Sequence, residues 1–275
     1  MEAIISPDRP RLESLADSTL KAVARFWFVV TVIGQWIFAF YIAAFYGGSA
    51  VHGDLAAWSK VLPQGYLTGD DMGNFALAGH LLLAAIITVG GPLQIIPHIR
   101  ARFPTFHRWN GRLYMLTAFL MSVTGLYLIW ARGYPLGDFP QHLAISLNAI
   151  AILACAAMAL RHALARDFKA HRRWALRLFL VVSGVWFFRV GLMLSFLIFQ
   201  GPFGFDPKTF VGPFLTLLTF AQFVFPLAVL ELYLRTQDRA GAAGRFAMAA
   251  VLFLLTLAVG AGISMATVGM WLPQL

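Results

Sequence analysis

The stretch "GHLLLAAIITVGGPLQIIPHIRARFPTFHRWNGRLY", Gly79 to Tyr114, decides the fold. An apolar run leads into a corner crowded with His98, Arg100, Arg102, His107 and Arg108, and a second apolar run leaves after Arg112. Each arm is about 20 residues long, which at about 1.5 Å per residue crosses a hydrocarbon core about 30 Å thick. Lipid offers the backbone no water, so such arms must pair their amides internally, as helices. The stretch therefore predicts a helical hairpin that crosses a membrane twice.

Working outward, runs of this kind recur at roughly 25–47, 73–97, 108–131, 142–163, 173–199, 210–234 and 246–272. They predict an all-α polytopic bundle of about seven transmembrane helices. Composition agrees: 60% of the 275 residues are hydrophobic and 12% charged, about half the charged share of a soluble domain. Mean hydropathy is +0.74. The first residues contain acids and no short apolar core with a small-residue cleavage site, so they do not read as a signal peptide. Residues 1–24 are expected to form a cytoplasmic N-terminal segment, and 25–275 a single transmembrane domain.

The net charge of +9 has a topological meaning. Seventeen Lys and Arg residues, from Arg9 and Arg25 through the two basic corners to Arg245, fall on the side of the N-terminus. Only Lys60, Arg132 and Lys208 fall on the other. This bias predicts a cytoplasmic N-terminus and an outside C-terminus in a cell membrane. It explains the basic charge without nucleic acid. The single cysteine, Cys155, rules out an internal disulfide.

The corner is written twice. "HIRARFPTFHR" (His98 to Arg108) and "HALARDFKAHR" (His162 to Arg172) share H-x-x-A-R-x-x-x-x-H-R. The echo continues as "HRWNGRLY" and "HRRWALRLF", with one insertion. Each corner follows a helix that begins with a histidine, His80 or His142. Two repeated hairpins, about 73–131 and 138–199, would make a four-helix core. "VGGPLQ" (Val89 to Gln94) is expected to interrupt the second span at Pro92.

Topology gives the histidines their depths. His80 and His142 fall near the outer face, His107 and His171 near the inner face, and His98 and His162 at the cytoplasmic helix ends. Ionisable groups in a membrane are costly and usually face an interior. Paired imidazoles in such a bundle suit axial coordination of haem iron. Arg108, Arg112, Arg172 and Arg177 would meet the propionates of an inner haem. Arg189 follows His171 by five turns of an unbroken helix and would serve an outer one. The same histidines also suit plainer roles, capping neighbouring helices or sitting at headgroups. Glu231 is expected to snorkel or pair with Arg235 one turn away. No metalloprotease helix motif, thiol pair, covalent-haem motif, serine elbow or phosphate loop is present.

The residues Gly91, Pro92, Leu93 and Gln94, followed by His107, Arg108, Gly111, Arg112 and Tyr114, resemble the signature of an uncharacterised family of bacterial predicted membrane proteins, over about residues 75–200. The four histidines on consecutive helices resemble, more distantly, transmembrane di-haem cytochromes of b type. That resemblance implies pairing of His80 with His142 and of His107 with His171. The sequence thus leads to the expectation of a membrane redox protein with one or two haem b groups, quinone being a further cofactor candidate. It would pass electrons between a quinol or soluble reductant and an unknown acceptor. The lipid bilayer, an unidentified redox partner and a second copy of the chain are the partners considered. The alternative is a non-redox transporter or structural protein with a pseudo-symmetric core.

Overall fold

The computed structural model describes residues 8–133 and 137–275, with side chains from residue 11 onward. Ten α-helices are present among them. Helix α1 (Asp8–Tyr41) continues through a π-helical turn (Ile42–Gly47) into the short α2 (Gly48–Val51). There follow α3 (Asp71–Ile95), the short α4 (Pro97–Arg102), α5 (Pro104–Trp130), α6 (Phe139–Leu164), α7 (Phe168–Val182), α8 (Gly184–Phe199), α9 (Pro213–Arg239) and α10 (Ala242–Ala266). Six segments among the described residues are long and apolar enough to span a membrane, or seven if the bent pair α7–α8 makes one span. Residues 1–7 of the expected N-terminal segment lie outside the described residues. The rest of that segment is helical, as the first turns of α1.

The helix starts follow local chemistry. Asp70, Asp138 and Asp167 each accept a backbone N–H from the first turn of α3, α6 and α7, through Gly73, Gln141 and Ala170. Prolines stand in the first turn of α4, α5, α6 and α9, where a missing N–H costs nothing. Large apolar side chains such as Phe40, Phe75, Leu217 and Leu254 are exposed, as a surface facing lipid tails requires.

Two sequence expectations are corrected. The interruption at "VGGPLQ" does not occur: α3 runs through Pro92 to Ile95, and the chain leaves the helix only at the extended Ile96. A neighbour steadies this segment. Asn110 Nδ2 on α5 donates to the Gly90 carbonyl (3.0 Å), and Gln94 Nε2 donates to the His107 carbonyl (3.0 Å). A side chain at Gly91 would press on Tyr114 (3.1 Å) and Phe179 (3.3 Å), so glycine is what lets these helices close up. The G-P-L-Q and H-R-x-x-G-R-x-Y strings thus clasp α3 to α5.

The second correction is to the fifth span, which breaks where an unbroken helix was expected. At Ser183 the backbone departs from helical values (φ −77, ψ 2), and α7 and α8 meet at a 52° bend. Ser183 Oγ donates back to the Phe179 carbonyl (2.7 Å), a contact that bends helices. Gln35 Nε2 of α1 donates in turn to Ser183 Oγ (2.8 Å).

Candidate functional site

A cavity of about 320 Å³ lies inside the half of the bundle away from the N-terminus, walled by α1, α3, α5, α6, α7 and α8. Most of its wall is apolar. Against that background a few polar groups stand out: His80, Arg189, Gln35, Asn148, Ser183 and Trp186.

His80 Nδ1 lies 2.9 Å from Thr124 Oγ1, and the same hydroxyl lies 2.8 Å from the Leu120 carbonyl. With the hydroxyl hydrogen given to Leu120, the neutral ring donates from Nδ1 and keeps a lone pair on Nε2. The ring lies against α5 at Gly125, where an added Cβ would sit 3.4 Å from Cε1.

Arg189 stands close enough for its charge to act on both His80 and Tyr41. Its guanidinium lies over the Phe38 ring at 5.2 Å and reaches the Val185 carbonyl at 3.3 Å. Among the described residues no carboxylate pairs with it. The five-turn argument that placed it in register with His171 fails, because the break at Ser183 resets the helical phase. It nevertheless shares a cavity with His80.

Among the described residues, buried polar atoms beside the cavity that lack a hydrogen-bond partner include Gln35 Oε1, Asn148 Oδ1 and Trp186 Nε1. Such atoms are rare in folded interiors and mark places where water or a ligand completes the bonding. The sequence reading missed them. Their signal was a lone polar residue inside an apolar run, as in "VIGQWIF" and "ISLNAIA".

The other candidate residues lie elsewhere. His142 is absent from the cavity wall, and its ring meets Trp130 edge-on at 5.9 Å. His171 Nδ1 donates to the Ala159 carbonyl (2.9 Å), so its Nε2 also carries a lone pair. His107 is near enough to His171 for their charges to interact, and its buried Nδ1 has no partner. Neither ring lines this cavity or the larger one on the N-terminal side.

The inner arginines disperse. Arg108 bonds to Thr105 (3.3 Å) and Arg112 lies over Trp109 (4.7 Å). Arg172 lines the larger cavity. Arg177 donates to Glu231 (2.7 Å) while lying over Trp174 (4.7 Å). Glu231 thus pairs across helices, where Arg235 was expected. His98 is exposed on α4, and His162 Nδ1 sits 3.5 Å from Asp167. Among the described residues no three of His, Cys, Asp and Glu converge as around a bare metal ion. Haem iron brings its own four nitrogens and asks the protein for one or two ligands.

The model of a family described as predicted membrane proteins, DUF2306, matches residues 77–234. The chain belongs to that family. The match begins just before His80 and ends after Tyr233, so it takes in the clasp, both basic corners and the broken span of this DUF2306 member. The description names a membrane and no activity. Comparison with curated proteins and with solved structures gave no match.

Proposed function

We propose that the chain is a membrane redox protein that seats one haem b in the cavity beside His80 and Arg189. The observation that carries this reading is an imidazole hydrogen-bonded through Nδ1 and a guanidinium with no carboxylate partner among the described residues, both lining one largely apolar cavity. Nε2 of the neutral ring would hold the haem iron, and the Nδ1 contact to Thr124 is the kind of outer hydrogen bond that orients a ligating ring. Arg189 would take a propionate. Bound haem would supply a one-electron couple in the half of the membrane away from the N-terminus, with a quinol or soluble reductant as donor. The chain's own part is to orient the ring, neutralise the propionate and exclude water with apolar walls.

Absorption spectra of the protein purified from haem-replete cells test this. Reduced-minus-oxidised Soret and alpha bands are expected in the wild type, lost in His80→Ala and kept in His142→Ala. A colourless wild-type protein overturns the reading.

A second reading, a non-redox binding or transport protein, is favoured by the cavity offering one imidazole where a pair was expected. In that case an apolar molecule with an anionic head would place the head at Arg189, next to a broken span. It predicts a colourless protein in which Arg189→Gln, and not His80→Ala, abolishes ligand retention.

A further inference from the structure

The larger cavity, about 630 Å³, lies on the N-terminal side of the bundle between α1 and α10 on one flank and α7, α8 and α9 on the other. Its depth is walled by side chains such as Phe28, Leu194, Phe225 and Val259. Its mouth carries Lys21 and Arg25 from α1, Arg172 from α7, and Tyr233 from α9.

The charges at this mouth do not cancel. Asp17 is taken by Lys21 (2.5 Å), Glu231 by Arg177 (2.7 Å), Asp238 by Arg173 (2.7 Å) and Glu13 by Arg245 (3.4 Å). Asp167 caps α7 and faces His162. Among the described residues Arg25 and Arg172 are left without an acidic partner. Tyr233 adds a donor, since its oxygen accepts from Gln237 Nε2 (2.7 Å) and keeps its own hydrogen to give. Arg172 is close enough to this hydroxyl to act on it electrostatically. Two guanidinium groups and a hydroxyl, drawn from three helices, line the end of an apolar crevice, beside a Lys21 ammonium already neutralised by Asp17, whose carboxylate also acts on Tyr233. The two guanidinium groups and the hydroxyl all donate, which is what a phosphate oxygen cluster requires.

We infer that this crevice is a binding site for an anionic phospholipid of the leaflet on the N-terminal side. The phosphate would sit between Arg25 and Arg172, with at least one acyl chain running into the apolar depth toward Phe179. Basic clusters at this end of a membrane protein attract anionic leaflets in general. Here the cations converge on a cavity as well as on a surface. The inference is independent of the haem reading, and its test contains no spectroscopic readout.

The full chain is delipidated in zwitterionic detergent and its melting temperature followed on adding phosphatidylglycerol or phosphatidylcholine in mixed micelles. Phosphatidylglycerol is expected to raise the midpoint by about 5 °C at saturation, and phosphatidylcholine by far less. Inorganic phosphate alone should give no shift. The Arg25→Gln/Arg172→Gln pair should lose the selective shift, and Arg25→Lys/Arg172→Lys should retain most of it. Equal shifts from the two lipids, a full shift with phosphate alone, or a full selective shift in the glutamine variant would each overturn the inference. If the glutamine variant does not fold, lipid extracted from the wild type decides. About one phosphatidylglycerol per chain after exhaustive washing supports the site, and no enrichment over the parent membrane removes it.

Discussion

The second arms of the two repeated hairpins, α5 and α7–α8, begin alike and then part. After the one-residue insertion at Arg173, Trp109 corresponds to Trp174, Arg112 to Arg177 and Tyr114 to Phe179. Both arginines lie over their tryptophans at 4.7 Å. Tyr114 and Phe179 converge on the same glycine of α3, Gly91, and both line the cavity beside His80. One turn further the correspondence ends. Ala118 and Phe119 continue α5 as an unbroken helix, whereas Ser183 and Gly184, at the equivalent places, break the fifth span. Phe119 is exposed, while Gly184 is packed against Asn148 and Gln222. The repeat keeps the headgroup-level corner and spends its divergence at mid-membrane, where one arm stays a wall and the other bends around the cavity.

The largest effect that would break this comparison belongs to Gly184. A Cβ there would stand 2.9 Å from Asn148 Nδ2 and 3.6 Å from Gln222. Gly184→Leu is expected to cost about 3 kcal/mol, the upper end for overpacking a tight interior. Phe119→Leu, at the equivalent exposed position, should cost under about 0.5 kcal/mol. Detergent melting curves separate the two, and equal effects would mean that the arms are packed alike after all.

Ser183→Ala comes next. It strips Gln35 Nε2 of its hydrogen-bond acceptor, the only one among the described residues, in a buried setting, where an unsatisfied amide costs about 1–3 kcal/mol. Ser122 on the straight arm donates to the Ala118 carbonyl of its own helix and, among the described residues, receives no donor from another helix, so Ser122→Ala should fall below about 1 kcal/mol. Hydrogen exchange across 179–187 should slow in Ser183→Ala if back-bonding is what bends the span. Unchanged exchange with unchanged stability would assign the bend to Gly184 alone.

How much of this was legible follows from period and charge. Seven crossings could be read because lipid demands long apolar runs, and that demand is written residue by residue. The corners were legible because arginine and histidine are scarce in such a chain. The bend at Ser183 was not, since serine and glycine occur in unbroken membrane helices too, and only the Gln35 contact from α1 separates the cases. Arg189 was singled out as a lone cation, but the cavity wall it shares is that of His80 on α3, reached across a break that helical phase could not see. Gln35, Asn148 and Trp186 went unremarked because a neutral polar side chain inside an apolar run carries no sign of which neighbour it faces.

The smallest expected difference is also the sharpest test of the shared arm start, because it compares two arginines in the same local contact. Arg112 and Arg177 stack identically on tryptophan, yet Arg177 alone holds a carboxylate, Glu231 of α9, at 2.7 Å. An exposed cation–π contact is worth about 0.5–1 kcal/mol, so Arg112→Ala should cost about that. Arg177 is only 20% exposed, and its loss also strands Glu231, which raises the expected cost to about 2 kcal/mol. The excess should vanish in a Glu231→Gln background, where both arginines would reduce to the tryptophan contact. A cycle in which Arg177 and Glu231 show no coupling would mean that the ion pair merely lies beside the stack, and that α7 is joined to α9 by apolar packing alone.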